Sequence, residues 1–169
     1  MSSIAFTPLD GGCNCGKIRF RLEVAPIVTH CCHCRDCQKT SGSAFCINAM
    51  IEPEHLTVLQ GTPARFQGAH SPAVARCTDC GFALWSYHGH FGETIAFVGV
   101  GRLDEGERLA PEAHYFTRSK HPWLQLPPEL PAFEAFGFPQ KPEAEARIGA
   151  ALAKRRDQGG VAPPLAGAG

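Results

Sequence analysis

Hydrophobic and polar residues alternate along much of the chain, most clearly in KIRFRLEV, residues 17–24. Ile18, Phe20, Leu22 and Val24 share one face of an extended segment, with Lys17, Arg19, Arg21 and Glu23 on the other, which predicts a half-buried strand. Further strands are predicted within IVTH (27–30), AFCINAMI (44–51), TVLQG (57–61), ARFQG (64–68), AVARC (73–77), ALWSYH (83–88) and TIAFVGVG (94–101). Gly, Pro, Asp and Asn separate them at the short intervals expected of antiparallel sheets, so the body reads as all-β.

Helical periodicity is scarce. A turn or two is predicted at CRDCQKT (34–40). A short C-terminal helix is predicted over PEAEARIGAALAKRRD (142–157), where Ile148, Ala151 and Leu152 form a small apolar stripe. That helix is expected to lie outside the core. The closing QGGVAPPLAGAG (158–169) has too little apolar surface to offset chain entropy and reads as a mobile tail. The expected organisation is one β domain over residues 1–138, then helix and tail over 139–169, with no internal repeat.

A chain of 169 residues suffices for one hydrophobic core. Its 16 basic and 16 acidic side chains balance, which argues against a nucleic-acid or anionic-membrane partner. MSSIAFTPLDGG lacks a charged leader with an apolar run, and no apolar stretch approaches the roughly 20 residues that span a bilayer. A cytoplasmic location is expected. In that reducing compartment nine cysteines, an odd number, point to metal binding or catalysis rather than disulfides.

Spacing sorts the cysteines into two groups. Cys13 and Cys15 form a C-x-C in GGCNCG, and Cys77 and Cys80 a C-x-x-C in CTDCG. Short glycine-flanked loops let each pair chelate one ion, and four thiolates saturate a tetrahedral zinc, which predicts a closed, structural site. Cys32, Cys34 and Cys37 read C-x-C-x-x-C and offer three ligands. A zinc ion held by three protein ligands keeps one position for a guest, as catalytic sites require, so these three cysteines are the candidate catalytic set. Two zinc ions per chain are expected.

Other residues carry weaker signals. Cys31 is a possible fourth ligand for the second group, although adjacent residues rarely chelate one metal. Cys46, in an apolar strand, reads as a small core residue. His30 and His33 flank the cluster as surface or supporting groups, His88 and His90 read as loop residues, and Ser41–Gly42–Ser43 reads as a turn. Arg35, Lys39 and Lys17 lie near the cysteines in sequence but are expected to be solvated.

The succession GGCNCG, CHCRDCQKTSGSAF, CTDCG and EAHYFTRSKHPWLQLPPELPAFEAF, over residues 11 to 138, resembles the glutathione-dependent formaldehyde-activating enzyme family, also called the centromere protein V/GFA domain. The resemblance implies an Mss4-like fold of packed antiparallel sheets with two zinc sites. It assigns Cys13, Cys15, Cys77 and Cys80 to the closed site and Cys32, Cys34 and Cys37 to the open one. It also implies a carbon–sulfur lyase activity that forms S-(hydroxymethyl)glutathione from formaldehyde and glutathione. Phe82 and Cys31 depart from the usual family pattern without removing a ligand. The competing reading is a noncatalytic zinc module that carries thiol adducts or binds a protein or nucleic-acid partner.

Overall fold

The protein is described by a computed structural model covering residues 5–67, 73–137 and 141–159. In chain order its strands are β1 (Leu9–Gly12), β2 (Arg19–Leu22), β3 (Val28–Cys32), β4 (Cys46–Ile51), β5 (Leu56–Gln60), β6 (Ala64–Phe66), β7 (Val74–Arg76), β8 (Ala83–Tyr87), β9 (Ala96–Gly99) and β10 (Ala113–Tyr115). Two helices, α1 (Arg35–Ser41) and α2 (Pro142–Asp157), accompany them. Strands β1, β2 and β5 form a three-stranded antiparallel sheet, and the others form a seven-stranded sheet in the order β10-β3-β4-β9-β8-β7-β6. The expected β body is present. No helix among the described residues is long and apolar enough to cross a membrane.

The alternation read from KIRFRLEV places Ile18, Phe20 and Leu22 in the core. They pack with Leu9, Ala49, Ile51, Trp85, Ala96 and Val98, so one face of the large sheet is covered by the small one. β1 escaped the strand reading because LDGG shows little apolar alternation. Its glycine is required by packing: a Cβ on Gly11 would lie 2.5 Å from the Arg102 carbonyl oxygen and 2.9 Å from Phe20.

The other face of the large sheet carries the chemistry. Register pairs Cys32 with Cys46, His30 with Asn48 and Val28 with Met50, and continues from Asn48 to Gly99 and from Met50 to Phe97. Because side chains alternate along a strand, these residues share a face. α2 covers its lower end, where Ala144, Ile148 and Ala151 are buried against Val28, Met50, Phe91, Ile95 and Phe97. This corrects the expectation that the helix lies outside the core. Small alanines allow close approach to the sheet, and Arg147 fixes the docking: its Nε donates to Glu52 Oε1 at 2.7 Å and its Nη1 to the Ala25 carbonyl at 3.0 Å. The tail from residue 160 lies outside the described residues.

The sheet also departs from pure antiparallel pairing, since β10 runs parallel to β3. A long connection separates the two strands in sequence, so the chain can return in the same direction, which a tight hairpin cannot achieve. This strand matters to the site, because it lies beside Cys31 and Cys32.

Two outcomes test the helix docking. Ile148→Ala is expected to lower unfolding free energy by about 2–4 kcal/mol in urea titrations, as for other buried aliphatic truncations. A loss within the roughly 0.5 kcal/mol typical of surface sites would contradict it. Burial raises the Glu52 carboxyl, but the Arg147 guanidinium outweighs this and holds it below the ordinary 4.5. A depressed carboxylate contributes stability that is full above 4.5 and lost as pH falls through the folded value. The stability gap between wild type and Arg147→Ala should therefore close on acidification from pH 6, and a gap that widens would contradict the pairing.

Candidate metal centres

The first centre joins two turns. Cys13 and Cys15 sit between β1 and β2, and Cys77 and Cys80 between β7 and β8. Their four sulfurs all lie within 4.8 Å of one another, with Cys13–Cys15 at 3.4 Å and Cys15–Cys77 at 3.7 Å. A tetrahedron with zinc–sulfur bonds of about 2.3 Å has sulfurs about 3.7 Å apart, so the donor set fits that ion. Gly16 (φ 75°) and Gly81 (φ 72°) take left-handed conformations that turn each loop back on itself. Burial opposes ionisation of Cys13, but the Ile18 N–H, which reaches its sulfur at 3.3 Å, and the Cys15 and Cys77 thiols outweigh it and bring the group down to about 6.

The second centre lies at the end of β3. Cys32 is the last residue of that strand, Cys34 is the N-cap of α1, and Cys37 falls in the first helical turn. The three sulfurs lie within 4.8 Å of one another. The Cys37 N–H donates to the Cys34 sulfur at 3.4 Å, which explains why a cysteine can cap this helix. Hydrogen bonds from the Cys32 and Cys37 thiols push Cys34 down to about 2, while the Cys34 thiolate pushes Cys32 up to about 12.

Supporting contacts come from β10 and the turn after it. His33 is fully buried between two of the cysteines; its Nε2 lies 3.0 Å from His114 Nδ1, and its N–H donates to the Tyr115 carbonyl at 2.9 Å. Burial, then the neighbouring His114 and Lys120, lower His33 to about 4, so the pair shares a proton without charge near neutrality. The Gln38 side-chain amide donates to the carbonyls of His33 at 2.7 Å and Ser119 at 3.0 Å, tying α1 to this brace. His30 is buried and stacked on Tyr115 with ring centroids 4.4 Å apart, not on the surface. Cys31 faces the opposite side of β3, where burial raises it to about 11, and it does not join the three sulfurs.

Cys46 corrects the reading of it as an ordinary core residue. It is only half-buried, its thiol donates to the Cys37 carbonyl at 3.2 Å, and it lines a cavity of 730 Å³ that Arg76 and Gly81, next to Cys77 and Cys80 of the first centre, also bound. Thr40, Ser41, Phe45, Phe82 and Arg102 also bound this cavity. The Asn48 amide reaches the Cys37 sulfur at 3.9 Å. Gly42, at φ 64°, caps α1 as the turn reading expected. Lys17 pairs with Asp79 at the surface, Arg35 donates to Gln38 Oε1 at 2.6 Å, and Lys39 is exposed, so none of the three lines the cavity.

The family model for glutathione-dependent formaldehyde-activating enzyme matches residues 8–119. The chain belongs to that family. The match spans both centres and the β10 brace, and ends at Ser119, whose carbonyl receives Gln38. A Rhodobacter sphaeroides protein of known crystal structure is similar at 20% identity, with 57% of this chain and 88% of that one covered and a TM-score of 0.45. No curated protein matches the chain.

For this formaldehyde-activating family member, the sequence grouped the seven cysteines as the structure brings them together. It missed Arg102 and Asn48, which have no spacing motif; only strand register places them beside Cys37 and Cys46. If the first centre holds a metal that links the two sheets, Cys80→Ser should release one metal equivalent. It should also lower Tm by on the order of 10 °C, corresponding to a few kcal/mol for a domain of this size. Elemental analysis with thermal denaturation checks this, and an unchanged Tm after loss of the metal would contradict the structural role.

Proposed function

We propose that the protein is a zinc-dependent carbon–sulfur lyase that joins formaldehyde or a related small aldehyde to glutathione or another small thiol, and catalyses the reverse cleavage. Cys13, Cys15, Cys77 and Cys80 would hold a structural zinc, and Cys32, Cys34 and Cys37 a zinc with one position left for the thiol. The observation that carries this reading is the inequality of the two centres. Four sulfurs converge at one and three at the other, and Cys46, whose thiol donates to the Cys37 carbonyl of the three-sulfur centre, lines a cavity of 730 Å³.

Zinc bound by the three thiolates would supply positive charge that favours the ionised form of an arriving thiol. A free thiol ionises near pH 8.5, so full ionisation at pH 7 raises the reactive fraction by at most about thirtyfold, worth roughly 2 kcal/mol. The sulfur lone pair attacks the aldehyde carbon, the carbonyl π electrons pass to oxygen, and that oxygen takes up a proton. One carbon–sulfur bond forms, and the thiol proton is balanced by the new hydroxyl. The chain's own contribution is positional: α1, Asn48 and the His33–His114 brace fix the cysteines, while the cavity walls hold thiol and aldehyde together. Aldehydes and thiols combine unaided, so the acceleration should be modest.

Exchange NMR on formaldehyde with glutathione measures this directly. The zinc-loaded wild type should exceed Cys34→Ser by about tenfold or more in exchange rate per mole of protein. Equal rates would contradict catalysis and leave a carrier of thiol adducts.

A further inference from the structure

The cavity lined by Cys46, whose thiol meets the Cys37 carbonyl, is also lined by two arginines, Arg76 and Arg102. Five of the chain's eleven arginines meet carboxylates: Arg19 with Asp104, Arg21 with Asp10, Arg65 with Glu93, Arg108 with Glu105 and Arg147 with Glu52. The two at the cavity, among the described residues, meet only backbone oxygen. Arg76 donates to the Gly81 carbonyl at 3.0 Å, and Arg102 to the Leu84 carbonyl at a long 3.4 Å.

Arg102 is not a loose surface side chain. Its guanidinium lies across Gly99, where a Cβ would come within 2.7 Å of Nη1 and 2.9 Å of Cζ. Gly99 pairs with Asn48, whose amide points at the Cys37 sulfur, so the guanidinium occupies the row of the sheet next to the second centre. A half-buried guanidinium with one long neutral hydrogen bond retains most of its forked donor capacity, and a carboxylate is the group that uses that fork best. The cavity, at 730 Å³, falls within the range of about 300–1,000 Å³ typical of small-molecule sites.

We propose that Arg102, supported by Arg76, receives a carboxylate of the thiol substrate while the thiol reaches the Cys32–Cys34–Cys37 centre, so that the enzyme selects thiols carrying an acid group. The inference rests on the reading of that centre as a thiol site. It makes Arg102 a residue that sets specificity, distinct from the cysteines that hold the metal. Its competitor is a purely internal role, in which the arginine offsets the negative charge of three thiolates around one divalent ion.

Calorimetric titration of the zinc-loaded protein separates the two. The probes are S-methylglutathione, whose blocked sulfur leaves both carboxylates free, and its diethyl ester. Wild type should bind the acid at least about tenfold more tightly than the ester, with the preference shrinking as salt rises. Arg102→Ala should weaken the acid about tenfold and the ester less than twofold, and Arg76→Ala should do the same to a smaller extent. Equal wild-type affinities, or equal weakening of acid and ester in Arg102→Ala, would overturn the proposal in favour of the internal role. If Arg102→Ala fails to fold by circular dichroism, Arg102→Gln, which keeps the volume and removes the charge, is read by the same criteria. Formaldehyde exchange separates this inference from the lyase reading. Equal acceleration with glutathione and its diethyl ester leaves the lyase standing and removes the carboxylate site. Arg102-dependent acid binding without acceleration of any thiol does the reverse.

Discussion

Four sulfurs from two turns converge at one point, with Cys15 and Cys77 62 residues apart. One turn belongs to the small sheet and the other to the large one, so a metal at that point would fix how the sheets face each other. Closing a loop of that length costs conformational entropy, which metal–thiolate bonds are strong enough to offset. With one face of the large sheet committed to the small sheet, the opposite face is left for α2 at one end and the second centre at the other.

The second centre has three sulfurs because local geometry directs the other candidates elsewhere. Alternation along β3 sends Cys31 to the opposite face, next to Ile47 in register. His33 turns into the protein, where His114 holds it. The Cys46 thiol, which lines the cavity, is engaged with the Cys37 carbonyl. The asymmetry between the two centres thus follows from strand periodicity, a helix cap and a buried histidine pair. It also explains why the parallel strand β10 belongs to the functional unit: it supplies His114 and the backbone acceptor for His33.

Much of this was legible in the chain. Alternation located β2 and its buried face, and cysteine spacing separated the two clusters, because ligand pairs in tight turns are encoded within three or four residues. What was not legible depends on register and tertiary approach. β1 and β10 are short and lack alternation, α2 presents alanines whose burial depends on the sheet beneath, and Cys46 and Arg102 reach the site only through pairing of β3, β4 and β9. Phe82 bounds the cavity and so shapes what can enter it. The nearby basic residues expected to be solvated stay outside the cavity, and the arginines that line it came from distant segments.

The inequality of the two centres is most directly tested by zinc K-edge absorption on the purified protein with two zinc equivalents bound. The expected result is an average sulfur coordination between three and four per zinc, with a lighter atom completing the shell, rising to four sulfurs when a thiol such as glutathione is added. Four sulfurs per zinc in the thiol-free protein, unchanged by added thiol, would show both centres closed and contradict an open position at the three-sulfur centre.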